Sequence, residues 1–156
     1  MAVGADSAVE FFGTLDAVDD TSTSAVSDGA MSAAADITAW TNDDDAPYAK
    51  LILLWQYASG TIDGHINIHI RPINVDGTND TPQPTASNQI GFCGRFEIDT
   101  GQSATTDTAY VAYVPLTPYS VKSSQEYEFY LYNDSGVGMS ANWDLDIVPA
   151  TLGAHA

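Results

Sequence analysis

The alternation of apolar and polar residues with a period of two restricts most strongly what this chain can fold into. Residues 51–80, LILLWQYASGTIDGHINIHIRPINVDGTND, read as an apolar run, a turn, an alternating strand and an Asp-Gly turn. In HINIHIRPI, Ile66, Ile68 and Ile70 point to one side of a strand, and His65 and His69 point to the other. A helix needs a period of 3.6, so this pattern predicts antiparallel sheets with one dry and one wet face.

The same alternation recurs along the chain and predicts an all-β fold, an antiparallel, jelly-roll-like β-sandwich of about eight strands. Strands are expected in HINIHIRPI, QIGFCGRFEI, QEYEFYLYN and NWDLDIV, and also over residues 8–15, 37–40, 48–57 and 110–114. The run 48–57 is apolar enough to lie centrally in a sheet, and residues 16–35 are expected to form a long loop with a short edge strand. The dry faces place five aromatic side chains in the core, and a bulge is expected at Gly94. These five are Trp55, Phe92, Phe96, Phe129 and Trp143.

The length of 156 residues fits one domain spanning residues 1–156, with an extended N-terminal arm (1–15) and a flexible C-terminal tail (151–156). The single cysteine, Cys93, cannot form an intramolecular disulfide and is expected to act as a small buried hydrophobe. The start lacks the basic and apolar regions of a signal peptide, and LILLW is far shorter than a membrane span.

The charge balance excludes several classes of partner. There are 21 acidic residues against 4 lysines and arginines, a formal net charge of −17. Binding a phosphate backbone needs clustered cations, so nucleic acid is excluded as a direct partner, and an anionic membrane is disfavoured for the same reason. Many aspartates stand beside Gly, Asn, Thr or Ser, which is typical of solvated turns.

Two patterns suggest a metal site, and both fail on geometry. His65 and His69 are four residues apart on a strand, about 13 Å, which is too far for two imidazoles to share one zinc. VDGTND resembles the opening of a calcium loop, but that loop needs Gly and Glu where this chain has Thr81 and Ser87. A hairpin turn built on Asp76 and Gly77 is favoured instead, with weak adventitious calcium binding left open. We expect no metal and no cofactor.

The sequence does not predict an enzyme. No G-x-S-x-G elbow occurs, and the histidines have no companion motif for nucleophilic catalysis. Glu126 with Glu128, and Asp144 with Asp146, are spaced about 7 Å apart on their strands, which falls in the glycosidase range. Any alternating acidic strand satisfies that spacing, so a small acidic hydrolase is the third-ranked hypothesis, to be decided by whether a pair lies in a concave pocket.

The aromatic residues outside the predicted core are candidate interface residues. Tyr130 and Tyr132 are expected on the wet face of their strand, where tyrosines bind protein surfaces or stack on sugars. The adjacent Phe11 and Phe12 lie in AVEFFGTL, a segment that we expect to pair with a sheet edge of a neighbouring subunit. Ordinary cross-strand pairing of the tyrosines on a half-exposed sheet is the alternative.

Three longer segments carry a resemblance to a known family. AADITAWTNDDDAPYAKLILLWQY followed by INIHIRPINVDGTND, and the close YEFYLYNDSGVGMSANWDLDIVPAT, resemble small virion proteins of tailed bacteriophages, over roughly residues 30–150. The resemblance implies a head decoration, or cement, protein. Such a protein is made in the host cytoplasm, binds the major capsid protein on the outer capsid surface of the virion, often as a trimer, and has no catalytic residues.

A different class remains as the alternative function. A carbohydrate-binding or receptor-binding sandwich on a phage tail or baseplate would use Tyr130 and Tyr132 as a stacking platform. The two hypotheses differ in what the exposed surface must offer, because a decoration protein needs a protein-binding face and a glycan module needs exposed rings.

Overall fold

A computed structural model describes residues 8–19, 22–57, 59–98 and 108–154 of the chain. Nine strands and two single-turn 3₁₀ helices, Ala34–Asp36 and Thr117–Tyr119, account for the regular structure of this part of the chain. The strands are β1 (Ala8–Phe12), β2 (Asp16–Asp19), β3 (Trp40–Thr41), β4 (Tyr48–Trp55), β5 (His65–Ile73), β6 (Phe92–Glu97), β7 (Thr108–Pro115), β8 (Glu126–Asp134) and β9 (Asp144–Ala154).

The strands form two antiparallel sheets whose order is that of a jelly roll. The front sheet has the order β1-β9-β4-β7, with β2 also paired to β9, and the back sheet has the order β3-β8-β5-β6. The pairs are nested: β1 and β2 pair with β9, β3 with β8, β4 with β7, and β5 with β6. A long antiparallel ribbon rolled into two sheets gives this arrangement, so the predicted all-β sandwich is confirmed.

A proline in β9 explains why the strand predicted over residues 8–15 ends at Phe12. β9 pairs with β1 down to Ala150 and resumes with β2 at Ile147. Pro149 lies between and has no N–H to donate to the ladder. Instead the Gly13 N–H donates to the Pro149 carbonyl at 2.8 Å, and a Cβ at Gly13 would lie 2.6 Å from the proline ring. β1 and β2 therefore act as one interrupted edge strand.

The core lies between the two sheets and follows the predicted alternation. Trp55, Phe96, Phe129 and Trp143 are each at most 2% exposed, which confirms four of the five predicted core aromatics. Every second residue of β4, including Leu51 and Leu53, is fully buried, and β4 lies centrally in the front sheet as predicted.

The fifth predicted core aromatic is wrong because of a bulge. Ile68 pairs with Gly94, but the next residue, His69, pairs with Phe92, so Cys93 is an extra residue in β6. The extra residue inverts the alternation, and Phe92 is 53% exposed on the outer face. The predicted irregularity at Gly94 is thus confirmed. Cys93 is half-buried against the core, and burial raises the pKa of its thiol to about 12, so it remains a neutral thiol.

Two other local predictions change in detail. Residues 37–40 were expected to be a strand, but Ile37–Thr38 continues from the 3₁₀ turn Ala34–Asp36 and the strand is only Trp40–Thr41. The Thr38 N–H donates to the Val18 carbonyl of the opposite sheet, so this segment crosses between the sheets. The expected short edge strand in 16–35 is present as β2.

Both predicted loose ends are wrong where the structure describes them. Residues 8–12 of the expected arm form β1, and residues 151–154 of the expected tail belong to β9, because the two segments pair with each other. Ala8 is the register partner of Ala154. The remainder of both predicted segments, including His155, lies outside the described residues. No helix in the described ranges has the length and apolar character needed to cross a membrane.

Gly91 provides a test of the bulged region. Its φ is +71°, and an added Cβ would lie 2.1 Å from the carbonyl oxygen of Ile70. The backbone N–H of Ile70 donates to the Gly91 carbonyl, so the two residues are held close together. Gly29 is the matched control, since its φ is +74° but no atom lies within 4 Å of an added Cβ. Both alanine variants place a side chain on a residue with a left-handed backbone conformation, which costs about 1–2 kcal/mol. Gly91→Ala should lower the free energy of unfolding by at least about 2 kcal/mol more than Gly29→Ala. Urea unfolding measures both, and equal losses would contradict the described packing.

Candidate functional site

The outer face of the back sheet is partly covered by the chain itself. Residues 74–91, which connect β5 to β6, fold back over this face, and Arg71 of β5 fastens them. The Arg71 Nε donates to the Thr81 carbonyl at 2.8 Å, and one guanidinium nitrogen lies 3.3 Å from the Asp80 carboxylate. The other guanidinium nitrogen donates to Glu128 of β8 at 2.7 Å. One side chain thus joins two neighbouring strands to the connection.

Tyr130, which was predicted to be an exposed interface residue, is buried on this face. Tyr130 is 1% exposed, and its hydroxyl donates to the Glu128 carboxylate at 2.8 Å. Burial, assisted by Glu128, raises the pKa of Tyr130 to about 12, so the phenol stays neutral. The alternation assigned the correct face, but the covering connection removes it from solvent, and the prediction of exposure is wrong.

Tyr132 also fails to form part of an open platform. It is half-buried, and Met31 pairs with it through an isolated β-bridge at the edge of β8. The neighbouring Gly29 and Ser32 N–H groups donate to the carbonyls of Asn133 and Leu131. A segment following β2 therefore borders β8 here. The stacking surface that the glycan-binding alternative requires of Tyr130 and Tyr132 is not exposed.

The two strand histidines lie in different environments. His65 is half-buried, with its Nε2 3.6 Å from the Asp134 carboxylate. His69 is 1% exposed, its Nδ1 donates to the Ile90 carbonyl at 2.9 Å, and its ring contacts Phe92 edge to face. Within the described ranges, no group of three or more His, Cys, Asp or Glu residues is placed to hold a metal ion.

The Asp76 loop is a turn whose oxygens are used internally. The Asp76 carboxylate accepts hydrogen bonds from the backbone N–H groups of Thr78 and Asn79 at 3.1 and 2.8 Å, and from the Asn79 side-chain amide at 2.6 Å. These donors, the Asn79 side chain first, lower the pKa of Asp76 to about 2. The predicted turn is present, with Gly77 at a φ of +94°. The turn does not join two strands but begins the connection 74–91, so the prediction of a hairpin there is wrong.

The acidic pair on β8 is engaged in structural contacts. Glu128 accepts from Arg71 and Tyr130, and Glu126 accepts from the side-chain amide of Asn74 at 2.7 Å. Asp144 and Asp146 lie on β9 opposite Leu54 and Ile52, on the outer face of the front sheet.

The outer face of the front sheet is open, and its side chains are apolar apart from four charged residues, Glu10, Lys50, Asp144 and Asp146. Five large side chains on it are between 43% and 59% exposed: Phe12, Tyr48, Val111, Tyr113 and Leu152. The register sets Ile52 beside Val111, and Lys50 between Tyr113 and Val148. We call this surface the apolar face, comprising Phe12, Tyr48, Ile52, Leu54, Val111, Tyr113, Val148 and Leu152. Sequence analysis missed it, although the runs YAKLILLW and TAYVAYVP are apolar on both sides of their strands.

The one lysine on the apolar face is held by aromatic rings. The Lys50 ammonium lies 3.7 Å from the centroid of the Phe12 ring and 4.9 Å from that of Tyr113. The Tyr113 hydroxyl donates to the Glu10 carboxylate at 3.2 Å. Cation–π contacts of this kind keep the aliphatic stem of lysine on the sheet and fix the orientation of the rings. The aromatic part of the face is therefore preorganised.

Phe11 and Phe12, the other predicted interface residues, are 51% and 49% exposed. They alternate along β1, so Phe12 belongs to the apolar face while Phe11 points the other way, towards the end of the sandwich. There both border a depression of about 300 Å³, together with Gly13, Asp44, Ala46, Pro149 and Thr151. Their exposure agrees with the expectation, and their role as interface residues stays a prediction.

A second depression, of about 270 Å³, adjoins the first. It is lined by Thr14, Asp16, Trp40, Thr41, Asn42, Asp43, Asp44 and Pro149. The two share Asp44 and Pro149, and we call them together the end groove. The Trp40 indole N–H donates to the Asp16 carboxylate at 3.1 Å and so orients it beside the groove.

No family model matches the chain, and no significant match was found among curated proteins or solved structures. Function therefore has to be inferred from these surfaces.

His69 should make stability depend on pH. Burial lowers its pKa below the ordinary value of 6.5, the Ile90 carbonyl opposing this in part, and its Nε2 is buried without a hydrogen-bond partner among the described residues. In the unfolded chain His69 is protonated near pH 6.5, whereas in the folded chain it is protonated only at lower pH. The free energy of unfolding should therefore be undiminished above pH 6.5 and should fall below it, by at most about 1.4 kcal/mol per pH unit.

The measurement is urea unfolding of three proteins between pH 7.5 and 5. His69→Asn keeps a donor for Ile90 and removes the titrating ring, so its stability should vary less with pH than that of the unmodified chain. His65→Asn is the control, on the same strand and face. An unchanged pH profile in His69→Asn would refute the assignment.

Proposed function

We propose that the chain is a non-enzymatic structural protein that decorates the outer surface of a phage head, docking on the major capsid protein through the apolar face. The resemblance in sequence suggests the role, and the geometry supplies a surface suited to it. Jelly rolls occur among viral capsid and lectin domains, but a fold alone does not define a function. The proposal therefore rests on the apolar face.

The observation that carries the proposal is the contrast between the two outer faces. Residues 74–91 contact the outer face of the back sheet, whose strands leave one large apolar side chain, Phe92, more than half exposed. The front sheet leaves three such side chains, Val111, Tyr113 and Leu152, more than half exposed. A contiguous apolar patch on the surface marks an interaction site, because water exposure of such a patch is unfavourable. Tyrosine and phenylalanine are enriched in protein interfaces, and the rings around Lys50 match that composition.

The charge of the chain agrees with a place on the outside of a DNA-filled particle. With a net charge of −17, the chain gains nothing from contact with packaged nucleic acid and remains soluble before assembly. Decoration proteins on a lattice act as many copies, so a modest contact per copy is sufficient. We propose a trimer as the unit that docks.

The role is tested by counting copies in purified phage particles that carry the gene for this chain. Quantitative mass spectrometry against the major capsid protein should give hundreds of copies per particle. A handful of copies would place the chain in the tail and overturn the head position. Absence from the particles would overturn the virion role.

The docking face is tested by one matched pair of variants. Val111→Glu puts a carboxylate on the apolar face, while Val121→Glu adds the same charge at a residue that is 65% exposed outside both sheets. Burying an unpaired carboxylate against a partner is unfavourable, so Val111→Glu should lower occupancy on particles depleted of the chain at least about tenfold.

Val121→Glu should bind those particles like the unmodified protein. Circular dichroism and thermal unfolding of both variants serve as controls for folding, since both positions are exposed. Equal occupancy of the two variants would exclude the apolar face as the docking surface.

A further inference from the structure

We infer that the end groove binds an extended segment of the partner protein that carries an apolar side chain and, two residues later, a lysine or arginine. The inference rests on the proposed function for the identity of the partner, and it adds the chemistry by which that partner is recognised. Three features of the groove support it: its shape, the exposure of Phe11 and the carboxylates that line its second depression.

The first depression of the groove suits an apolar side chain. Phe11, Phe12, Ala46 and Pro149 supply most of its lining, and Phe11 is half exposed with no cover from the described chain. Phe12 belongs both to this depression and to the apolar face, where it contacts Lys50. The groove is therefore continuous with the proposed docking face, and a partner seated on that face has a direct path into it.

The second depression suits a cation. Asp16, Asp43 and Asp44 line it, and all three are exposed. Within the described part of the chain, no Lys, Arg or His nitrogen forms an ion pair with any of these three carboxylates. An arriving lysine or arginine would gain their attraction, and the Asp16 carboxylate is already oriented by Trp40.

The cation has to come from a different protein. The four lysines and arginines of this chain are engaged elsewhere: Lys50 lies over two rings, Arg71 binds Glu128, Arg95 pairs with Glu97, and Lys122 donates to the Asn74 carbonyl. A second copy would also bring 21 acidic residues towards an acidic site. Charge complementarity thus favours a basic foreign segment over self-association at this groove.

The spacing of the two side chains follows from strand geometry. Successive residues of an extended segment point to opposite sides, and residues two apart lie about 6.6 Å from each other on the same side. The two depressions share the wall formed by Asp44 and Pro149, so they are immediate neighbours. An apolar residue followed two positions later by Lys or Arg therefore fills both at once.

The test uses the full chain, labelled with ¹⁵N, and the peptide acetyl-Gly-Leu-Gly-Arg-Gly-amide. Amide chemical shifts should change saturably in residues 11–16 and 41–46, and the affinity should fall as salt is raised. Two control peptides replace Arg by Glu or Leu by Gly, and both should bind more weakly. Shifts spread evenly over the acidic surface, or equal binding of the Glu peptide, would overturn the inference.

Two double variants separate the groove from the general charge of the protein. The double variant Asp43→Asn with Asp44→Asn should lower the affinity for the Arg peptide about three- to tenfold. Asp63→Asn with Glu97→Gln removes the same charge from other exposed positions and should change the affinity less than twofold. Equal effects of the two double variants on the affinity would overturn the inference. As a control for folding, both variants must unfold at the same midpoint temperature as the unmodified protein.

Failure of this inference is distinguishable from failure of the proposed function. The peptide measurement is made on the isolated protein and needs no particle. Particle occupancy that depends on Val111 without any peptide binding would retain the docking face and exclude the groove. Peptide binding by a protein that is absent from particles would retain the groove and exclude the virion role.

Discussion

The ion pair of Arg71 with Glu128 is the interaction on which the asymmetry of the molecule depends. The pair joins β5 to β8 at 2.7 Å, and the same guanidinium holds the Thr81 carbonyl of the covering connection. Arginine suits this position because its planar group offers several donors in fixed directions. The connection therefore stays against the back sheet, on the face where His69 and Tyr130 are buried. The front sheet has no corresponding segment among the described residues.

The outer faces of the two sheets carry different kinds of side chain. The outer face of the back sheet carries polar and titratable groups that are tied by hydrogen bonds: Glu126 to Asn74, and Glu128 to Arg71 and Tyr130. The front sheet turns aliphatic and aromatic residues outward, and it holds its lysine over rings. Stability of the back sheet thus depends on satisfied polar contacts, while the front sheet keeps an apolar surface that only a partner can bury.

The fold class follows from the sequence because alternation with a period of two directly reports which side chains share a face. The jelly-roll order depends on pairings between distant strands, such as β1 with β9, which local patterns do not encode. Phe92 was misplaced because a one-residue bulge at Cys93 inverts the alternation. Tyr130 was assigned to the correct face, but nothing in its strand indicates that residues 74–91 will cover it. The apolar face could have been predicted from the sequence, because a two-layer sandwich can bury only one side of YAKLILLW.

The pairing of Ala8 with Ala154 brings the two ends of the described fold to the same point on the edge of the front sheet. Chain ends that lie side by side allow a domain to be placed within a surface loop of another protein without stretching either connection. A short linker between them would also permit new termini to be opened elsewhere, for example in the turn at Gly77. The sandwich thus has the geometry of a transferable module, suited to insertion and to circular permutation.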